Sequence, residues 1–268
     1  MIRVLVVVLF AAILSCNNQP AGNTGNEFEK DSMQSETSSP VFLIPSPAET
    51  FQLLMNEKMQ MKPIAGNSPD NVNKYQTVFS RAANLGIYST DATYAVLSGQ
   101  NNQIGGYFKT IKILLEQLNL THSLDQTTLD KLEQNMNATD SLYAMSLVLY
   151  EKMNTELDNE TGRPLQIMLM YGGWIEGMYL TTQLIEKYDS KNPLALRVSE
   201  QDLVLDNLLG AIETVPQDAE TELIAANIVE LNSILQTRYE QANAMLTPDK
   251  YAEFKTKVKE LRNNIVNN

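Results

Sequence analysis

One carboxylate has the surroundings that chemistry at a buried site requires. Glu176 is the only charged residue in segment 165–184, which reads LQIMLMYGGWIEGMYLTTQL. A carboxylate in apolar surroundings must be paired, hydrogen-bonded, or protonated with a raised pKa, and such groups occur at functional sites. One interpretation is a central ligand pocket formed by Glu176 with Tyr171, Trp174 and Tyr179. The alternative, which the apolar composition favours, is a buried central helix whose Glu176 bonds an Arg, a Tyr or water.

A second cluster of polar and aromatic side chains lies at residues 74–94. It includes Arg81, Tyr88 and Asp91, around a helix end that we expect at Gly86. Tyrosine suits a polar-rimmed pocket and a helix–helix contact equally well, because it carries both an apolar ring and a hydroxyl. We expect Arg81 to be the partner of Glu176, and Arg81 and Tyr88 to line the pocket if one exists.

The side chains that build common catalytic sites are too few in this chain. It has one His, His122, and one Cys, Cys16, which excludes zinc sites that need several such ligands. The glycine-rich nucleotide-binding motifs and the Gly-x-Ser-x-Gly elbow are also absent from the sequence. His122 lies in a polar Thr-His-Ser connection, where we expect a solvated loop residue. We therefore assign no catalytic, cofactor-binding or metal-binding residue, and we favour a non-enzymatic protein.

Cys16 follows an N-terminal stretch with the layout of an export signal. A positive residue precedes the apolar residues 4–13, and a small residue stands just before the cysteine. The motif Ile13-Leu14-Ser15-Cys16 resembles the lipobox of bacterial lipoproteins, although it has Leu where that family prefers Ala or Ser. The resemblance implies that residues 1–15 are a cleaved signal peptide. It also implies that fatty acyl chains on Cys16, such as palmitate, anchor the chain to a lipid bilayer.

Residues 16–45 form the predicted tether. They are rich in Asn, Gly, Ser, Thr, Pro and Glu, a composition that buries too little apolar surface to fold, so we expect disorder. Asn17 follows the cysteine, rather than the Asp that retains lipoproteins in the inner membrane of enteric bacteria. An acidic surface-export signal is also missing, so the resemblance favours an outer-membrane lipoprotein facing the periplasm. The net charge of −12 argues against nucleic acid as a partner.

Residues 46–268 carry helical rather than strand signals. Apolar residues recur every three or four positions in segments 104–118, 224–235 and 251–265. We predict one all-α domain, a multi-helix bundle or array of about ten helices with no sheet. An N-cap followed by proline marks starts at Ser46-Pro47, Ser68-Pro69 and Thr247-Pro248, and stops are expected at Gly86, Gly99, Gly162 and Pro216.

Two runs resemble a known group of proteins. Residues 81–94 (RAANLGIYSTDATY) and 172–180 (GGWIEGMYL) resemble uncharacterised helical lipoproteins from Bacteroidota, over most of the folded domain. No activity of that group can be carried over to residues of this chain. In those bacteria an Asp-Ser pair followed by an apolar residue is an O-glycosylation site, which the resemblance implies for Ser32 in the tether and more weakly for Ser141.

Two functions remain open from the sequence. The first is a non-enzymatic module that binds or scaffolds an envelope protein or another envelope component, held at the membrane by Cys16. The second is a small-molecule binder or a carboxylate-dependent enzyme with a central pocket around Glu176. A well-packed centre in which Glu176 is ion-paired would argue against the second function.

Overall fold

The fold is all-α. The computed structural model describes residues 61–120 and 139–268, together with Phe51 and Thr127, and in these residues it contains eight α-helices and no strand. All of them fall within one compact unit, Val41–Asn268. The helices are α1 (Val78–Leu97), α2 (Asn101–Gln117), α3 (Thr139–Leu157), α4 (Arg163–Leu184), α5 (Pro193–Ser199), α6 (Asp202–Ile212), α7 (Ala219–Gln236) and α8 (Pro248–Asn267).

Side-chain caps explain where several helices begin. The Thr247 hydroxyl accepts a hydrogen bond from the Lys250 amide at the start of α8, which confirms the predicted start at Thr247-Pro248. Ser68-Pro69 begins a 3₁₀-helix, Pro69–Lys74, instead of an α-helix. A short helix suits this position, because the chain turns at Tyr75 to enter α1. The predicted start at Ser46 lies outside the described residues.

The expected stop at Gly86 is wrong, whereas the stop at Gly99 is confirmed. Gly86 lies within α1, where a Cβ would stand 2.0 Å from the Leu169 carbonyl oxygen of α4. This glycine therefore permits a close helix contact rather than ending a helix. Gly99 follows the end of α1 with a φ of 72°, a left-handed conformation that glycine adopts without strain.

Helix α1 lies between two apolar clusters. One face, with Ile87 and Tyr94, packs against α4 and α8 and belongs to an apolar cluster that extends to α5, α6 and α7. The other face, with Leu85 and Tyr88, packs against α2 and α3. Helix α4, predicted to be central because it is apolar nearly all round, is buried over most of its length. Among the described helices, the most extensive contact is between α1 and α4, so these two helices set the positions of the polar side chains between them.

The residues that precede α1 form a strap across the domain. We define the strap as residues 61–75, which contain only the 3₁₀-helix as regular structure. Its backbone carbonyl groups at Lys62, Ile64 and Ser68 accept hydrogen bonds from side chains of α1 or of the residue just before α2. The strap is therefore held by polar contacts as well as by burial.

Several predictions fall beyond the described residues. Cys16, the tether, Ser32 and His122 all lie there, and Ser141 is part of α3 without a described side chain. In the described part of the chain, no helix combines the length and the apolar character needed to span a bilayer.

Candidate functional site

Glu176 is completely buried and bound by Arg262 of α8. Arg262 Nε donates to Glu176 Oε2 at 2.6 Å, and Nη2 donates to Oε1 at 3.0 Å. Glu176 has no solvent exposure and Arg262 has 8%. The paired, two-bond geometry neutralises a charge that would otherwise be very costly in this position. Glu176 and Arg262 thus form a structural ion pair at the centre of the domain.

The expected partner Arg81 is wrong. Its guanidinium donates from Nε to the Tyr75 carbonyl at 3.1 Å, which fixes the junction between the strap and α1. Arg262 fills the role instead, and its guanidinium also stacks on the Tyr179 ring at 4.2 Å from the centroid. Of the other predicted pocket residues, Tyr179 therefore contacts Arg262, the partner of Glu176.

The other predicted pocket residues have separate partners. The Trp174 indole donates to Gln201 at 3.0 Å and packs edge-on against Phe254. The Tyr171 hydroxyl accepts a hydrogen bond from the Asn227 amide at 3.0 Å. Each aromatic ring is thus engaged at a helix contact.

Tyr88 lies on the other side of α1. Its hydroxyl donates to the Ser68 carbonyl of the strap at 2.7 Å, and burial raises its pKa, so that it stays protonated. The six residues predicted for one central pocket are consequently distributed among several buried contacts. They are packing and bonding residues of the domain centre.

Asp91, named from the sequence as part of the second cluster but not as a neighbour of Glu176, is a buried acid. It is 2% exposed, and its Oδ2 accepts from the Asn67 amide of the strap at 2.8 Å. Its Oδ1 has no hydrogen-bond donor within the described residues. Burial raises the pKa of Asp91 well above its ordinary value, and Glu176 raises it further, while Arg262 acts in the opposite direction. Its neighbours in the sequence, Thr90 and Ala92, gave no signal that Glu176 of another helix lies beside it.

A network of neutral polar side chains continues from Asp91. The side-chain amide nitrogen of Asn67, Nδ2, donates to the Tyr75 hydroxyl at 2.8 Å and to Asn84 Oδ1 at 3.1 Å. Asn84 in turn donates to the Ile265 carbonyl near the end of α8 at 2.9 Å. The network therefore links the strap, α1 and the C-terminal helix through groups that are closed to solvent.

In the part of the chain that the structure describes, an open cleft lies beside Tyr188. Two loops enclose about 970 Å³, one between α4 and α5 and the other before α8, a size suited to a small ligand or a short segment of polymer. Each loop contains one Asn and is followed by Pro, a composition that predicts a loop but not a cleft. The lining residues are Lys187, Tyr188, Asp189, Ser190, Lys191, Asn192, Pro193, Gln241, Asn243, Met245, Leu246, Thr247 and Pro248.

Buried bonds hold the second wall of this cleft in place. The Tyr188 hydroxyl donates to the Leu246 carbonyl, and the Leu246 amide donates to Ser199 Oγ at 3.3 Å. Arg238, ion-paired with Asp202 at 3.1 Å, also donates to the Ala244 carbonyl at 3.5 Å. Ala244 has a φ of 52°, a left-handed conformation that costs a non-glycine residue energy. The wall is thus a restrained loop rather than a free one.

Several side chains of the cleft offer hydrogen-bond donors. Asn192 and Asn243 each use the side-chain oxygen to accept a local backbone amide, at 2.9 and 3.2 Å. Their amide nitrogens have no partner in residues 61–120 and 139–268, and Lys187 and Lys191 outnumber the one acid, Asp189. The cleft therefore suits a ligand rich in acceptor oxygens.

Metal ligands and known relatives give no assignment. In the described ranges, no three His, Cys, Asp or Glu side chains lie close enough to hold a metal ion. Neither a scan against protein-family models nor searches of curated proteins and of solved structures returned a match.

Proposed function

We propose that this chain is a membrane-anchored binding module of the bacterial cell envelope. Acylated Cys16 attaches it to the periplasmic face of the outer membrane, residues 16–45 act as the tether, and the helical domain binds an envelope component in the cleft. The observation that carries the proposal is the cleft itself. One of its walls, the loop before α8, is restrained by hydrogen bonds, and the side-chain amide nitrogens of Asn192 and Asn243 have no partner among the described residues. Its ligand class is an oxygen-rich molecule, bearing hydroxyl, carbonyl or carboxylate groups.

The buried centre favours binding over carboxylate-dependent catalysis. Both oxygens of Glu176 are bound by Arg262, and the side chain has no solvent exposure. A general acid or base must reach its substrate within hydrogen-bond distance, which the closed packing around Glu176 prevents. The cleft is therefore a better site for a ligand than the region around Glu176.

Thermal unfolding of the full chain with three ligand classes tests this function. The ligands are a neutral oligosaccharide, an acidic oligosaccharide and a short peptide, each up to the millimolar range. A ligand at 100 times its dissociation constant adds about 2.7 kcal/mol of stability, which raises the midpoint by about 5–10 °C for a domain of this size. We expect such a shift with at least one oligosaccharide.

A matched pair of variants locates the binding site. Asn243→Asp keeps the oxygen that accepts the Met245 amide but replaces the donor by an acceptor. We expect about tenfold weaker binding, since one hydrogen bond is lost and a negative charge is added. Asn263→Asp makes the same change on the exposed far end of α8 and should bind normally. A shift with the peptide alone would point to a protein partner, and equal binding by both variants would move the site away from the cleft.

A further inference from the structure

The strap is fastened to the domain by side chains of α1 and its neighbour. The Tyr94 hydroxyl donates to the Lys62 carbonyl at 2.7 Å, and the Gln100 amide donates to the Ile64 carbonyl at 3.3 Å. At the middle of the strap, the backbone amide of Asn67 donates to Asp91 Oδ2 at 2.8 Å. Asp91 is the only one of these three side chains with an acidic group, so its protonation state bears directly on the attachment.

The strap closes directly over the Asp91 carboxyl. A Cβ on Gly66 would lie 2.3 Å from Asp91 Oδ1, so no layer of water fits between the strap backbone and this oxygen. On its other side Asp91 lies within hydrogen-bonding reach of Glu176. Asp91 Oδ1 has no donor among the described residues, and an ionised neighbouring carboxyl could only accept. A proton shared between the two carboxyl groups would satisfy this oxygen.

Charge balance in the buried centre leads to the same result. Two carboxyl groups, Asp91 and Glu176, face a single guanidinium, that of Arg262. Three tyrosines, Tyr75 from the strap, Tyr88 from α1 and Tyr107 from α2, lie near enough for Asp91 to act on them electrostatically, and burial raises the pKa of each and keeps it neutral. The centre is therefore electrically balanced only with one added proton.

We propose that Asp91 carries a buried proton that it donates to Glu176, and that this proton fastens the strap to the domain. Asp91 is the carrier because both oxygens of Glu176 already accept hydrogen bonds from Arg262, whereas Asp91 Oδ1 has no donor among the described residues. Protonated Asp91 donates through Oδ1 and accepts the Asn67 amide through Oδ2, which satisfies both oxygens. Loss of the proton leaves two adjacent carboxylates, and water can reach them only if the strap moves.

The direction of the pH dependence follows from the raised pKa of Asp91. A carboxyl with a higher pKa in the folded chain than in the unfolded chain contributes its full stabilisation below the unfolded value. That stabilisation is lost as the pH rises through the folded value. We therefore expect alkaline conditions to loosen the strap, and this behaviour is independent of any ligand in the cleft.

Infrared spectroscopy of the full chain in detergent, with and without ¹³C-labelled aspartate, tests where the proton lies. At pH 7 we expect a band of an un-ionised carboxyl that moves with aspartate labelling and is missing from Asp91→Asn. In Glu176→Gln this band should also disappear, because Asp91 then ionises to balance Arg262. Absence of the band from the unsubstituted chain, or a band that moves with glutamate labelling, would overturn the assignment.

Hydrogen exchange of the strap tests what the proton does. In the unsubstituted chain, protection of the strap amides, corrected for intrinsic exchange, should fall about tenfold or more as the pH is raised from about 5, just above the ordinary carboxyl pKa, towards about 10. Asp91→Asn keeps one donor and one acceptor, so its strap protection should stay within about twofold over that range. Asp158→Asn, an exposed residue of the same type, should behave like the unsubstituted chain. Equal pH dependence in Asp91→Asn and the unsubstituted chain would show that the proton does not fasten the strap; if Asp91→Asn does not fold, Glu176→Gln serves the same comparison.

Discussion

The guanidinium of Arg262 compensates the buried carboxyl of Glu176. It gives two hydrogen bonds to Glu176 and stacks on Tyr179. Removing one partner of a buried ion pair leaves a charge without compensation, which typically costs about 3–5 kcal/mol. We expect Arg262→Met to lower the free energy of unfolding by that amount, measured by urea denaturation at pH 7.

An exposed ion pair provides the comparison for that variant. Lys250 and Glu253 form a contact of 2.8 Å on α8, with side chains 40% and 51% exposed. Such pairs contribute at most about 1 kcal/mol, so Lys250→Met should change the urea midpoint little. A similar small effect of Arg262→Met would mean that Glu176 finds another partner or takes up a proton.

The burial of Glu176 could be predicted from the sequence, but its partner could not. The apolar segment around Glu176 shows that its carboxylate must be compensated. Arg262 lies 86 residues further along the chain, on the polar-looking helix α8, whereas Arg81 lies beside a tyrosine-rich cluster. Sequence spacing reports neighbours on one helix, and it does not report which helix crosses above it.

Helices α1 and α4 approach closely because glycines lie on both sides of their contact. A Cβ on Gly86 would stand 2.0 Å from the Leu169 carbonyl oxygen, and one on Gly172 would stand 2.0 Å from the Ala83 carbonyl oxygen. Since backbone atoms cannot move aside as a flexible side chain can, Gly86→Ala should force the helices apart. We expect a loss of about 1–3 kcal/mol in the free energy of unfolding.

Gly105→Ala is the matched change on α2. Gly105 is an exposed residue within a helix, where alanine is favoured over glycine by about 0.5–1 kcal/mol. The midpoint of thermal unfolding should therefore fall for Gly86→Ala and rise slightly for Gly105→Ala. A rise for both variants would show that the contact between α1 and α4 has room for a Cβ at residue 86.

The loop before α8 holds its shape at a conformational cost. Ala244 has a φ of 52°, and the Arg238 guanidinium bonds its carbonyl. Glycine adopts this conformation without the Cβ clash, so Ala244→Gly should raise the free energy of unfolding by about 0.5–1 kcal/mol. Asn119→Gly, at a φ of 58°, should gain less because asparagine already tolerates this region. Thermal unfolding of both variants measures the difference, and an equal gain would exclude strain specific to Ala244.

Most helices could be predicted, but the strap and the cleft could not. Apolar periodicity identified the buried face of α8, where Tyr251, Phe254 and Val258 all lie in the core. Gly86 was assigned to a helix end because a lone glycine does not show whether it ends a helix or meets another backbone. The strap has no periodicity, since its backbone is satisfied by side chains of other elements, and such long-range bonds leave no local pattern.

Net charge shapes how the whole molecule can meet a membrane. The chain carries 32 acidic and 20 basic residues, so anionic headgroups repel its surface on average. Attachment in the proposed function depends on acyl chains at Cys16, and two or more chains are needed for stable binding.

Cys16→Ser tests this dependence in cells. We expect the variant to lose labelling by a fatty-acid analogue and to leave the membrane fraction, because Cys16 is the only thiol in the chain. Ser15→Ala is the matched control, since it keeps a small residue before the cysteine and should be labelled and retained normally. Labelling of Cys16→Ser would place the acyl chain on another residue. Membrane retention without labelling would instead identify a protein or polysaccharide contact of the helical domain as the anchor. The cleft variant Asn243→Asp would then show whether that contact is made through the cleft.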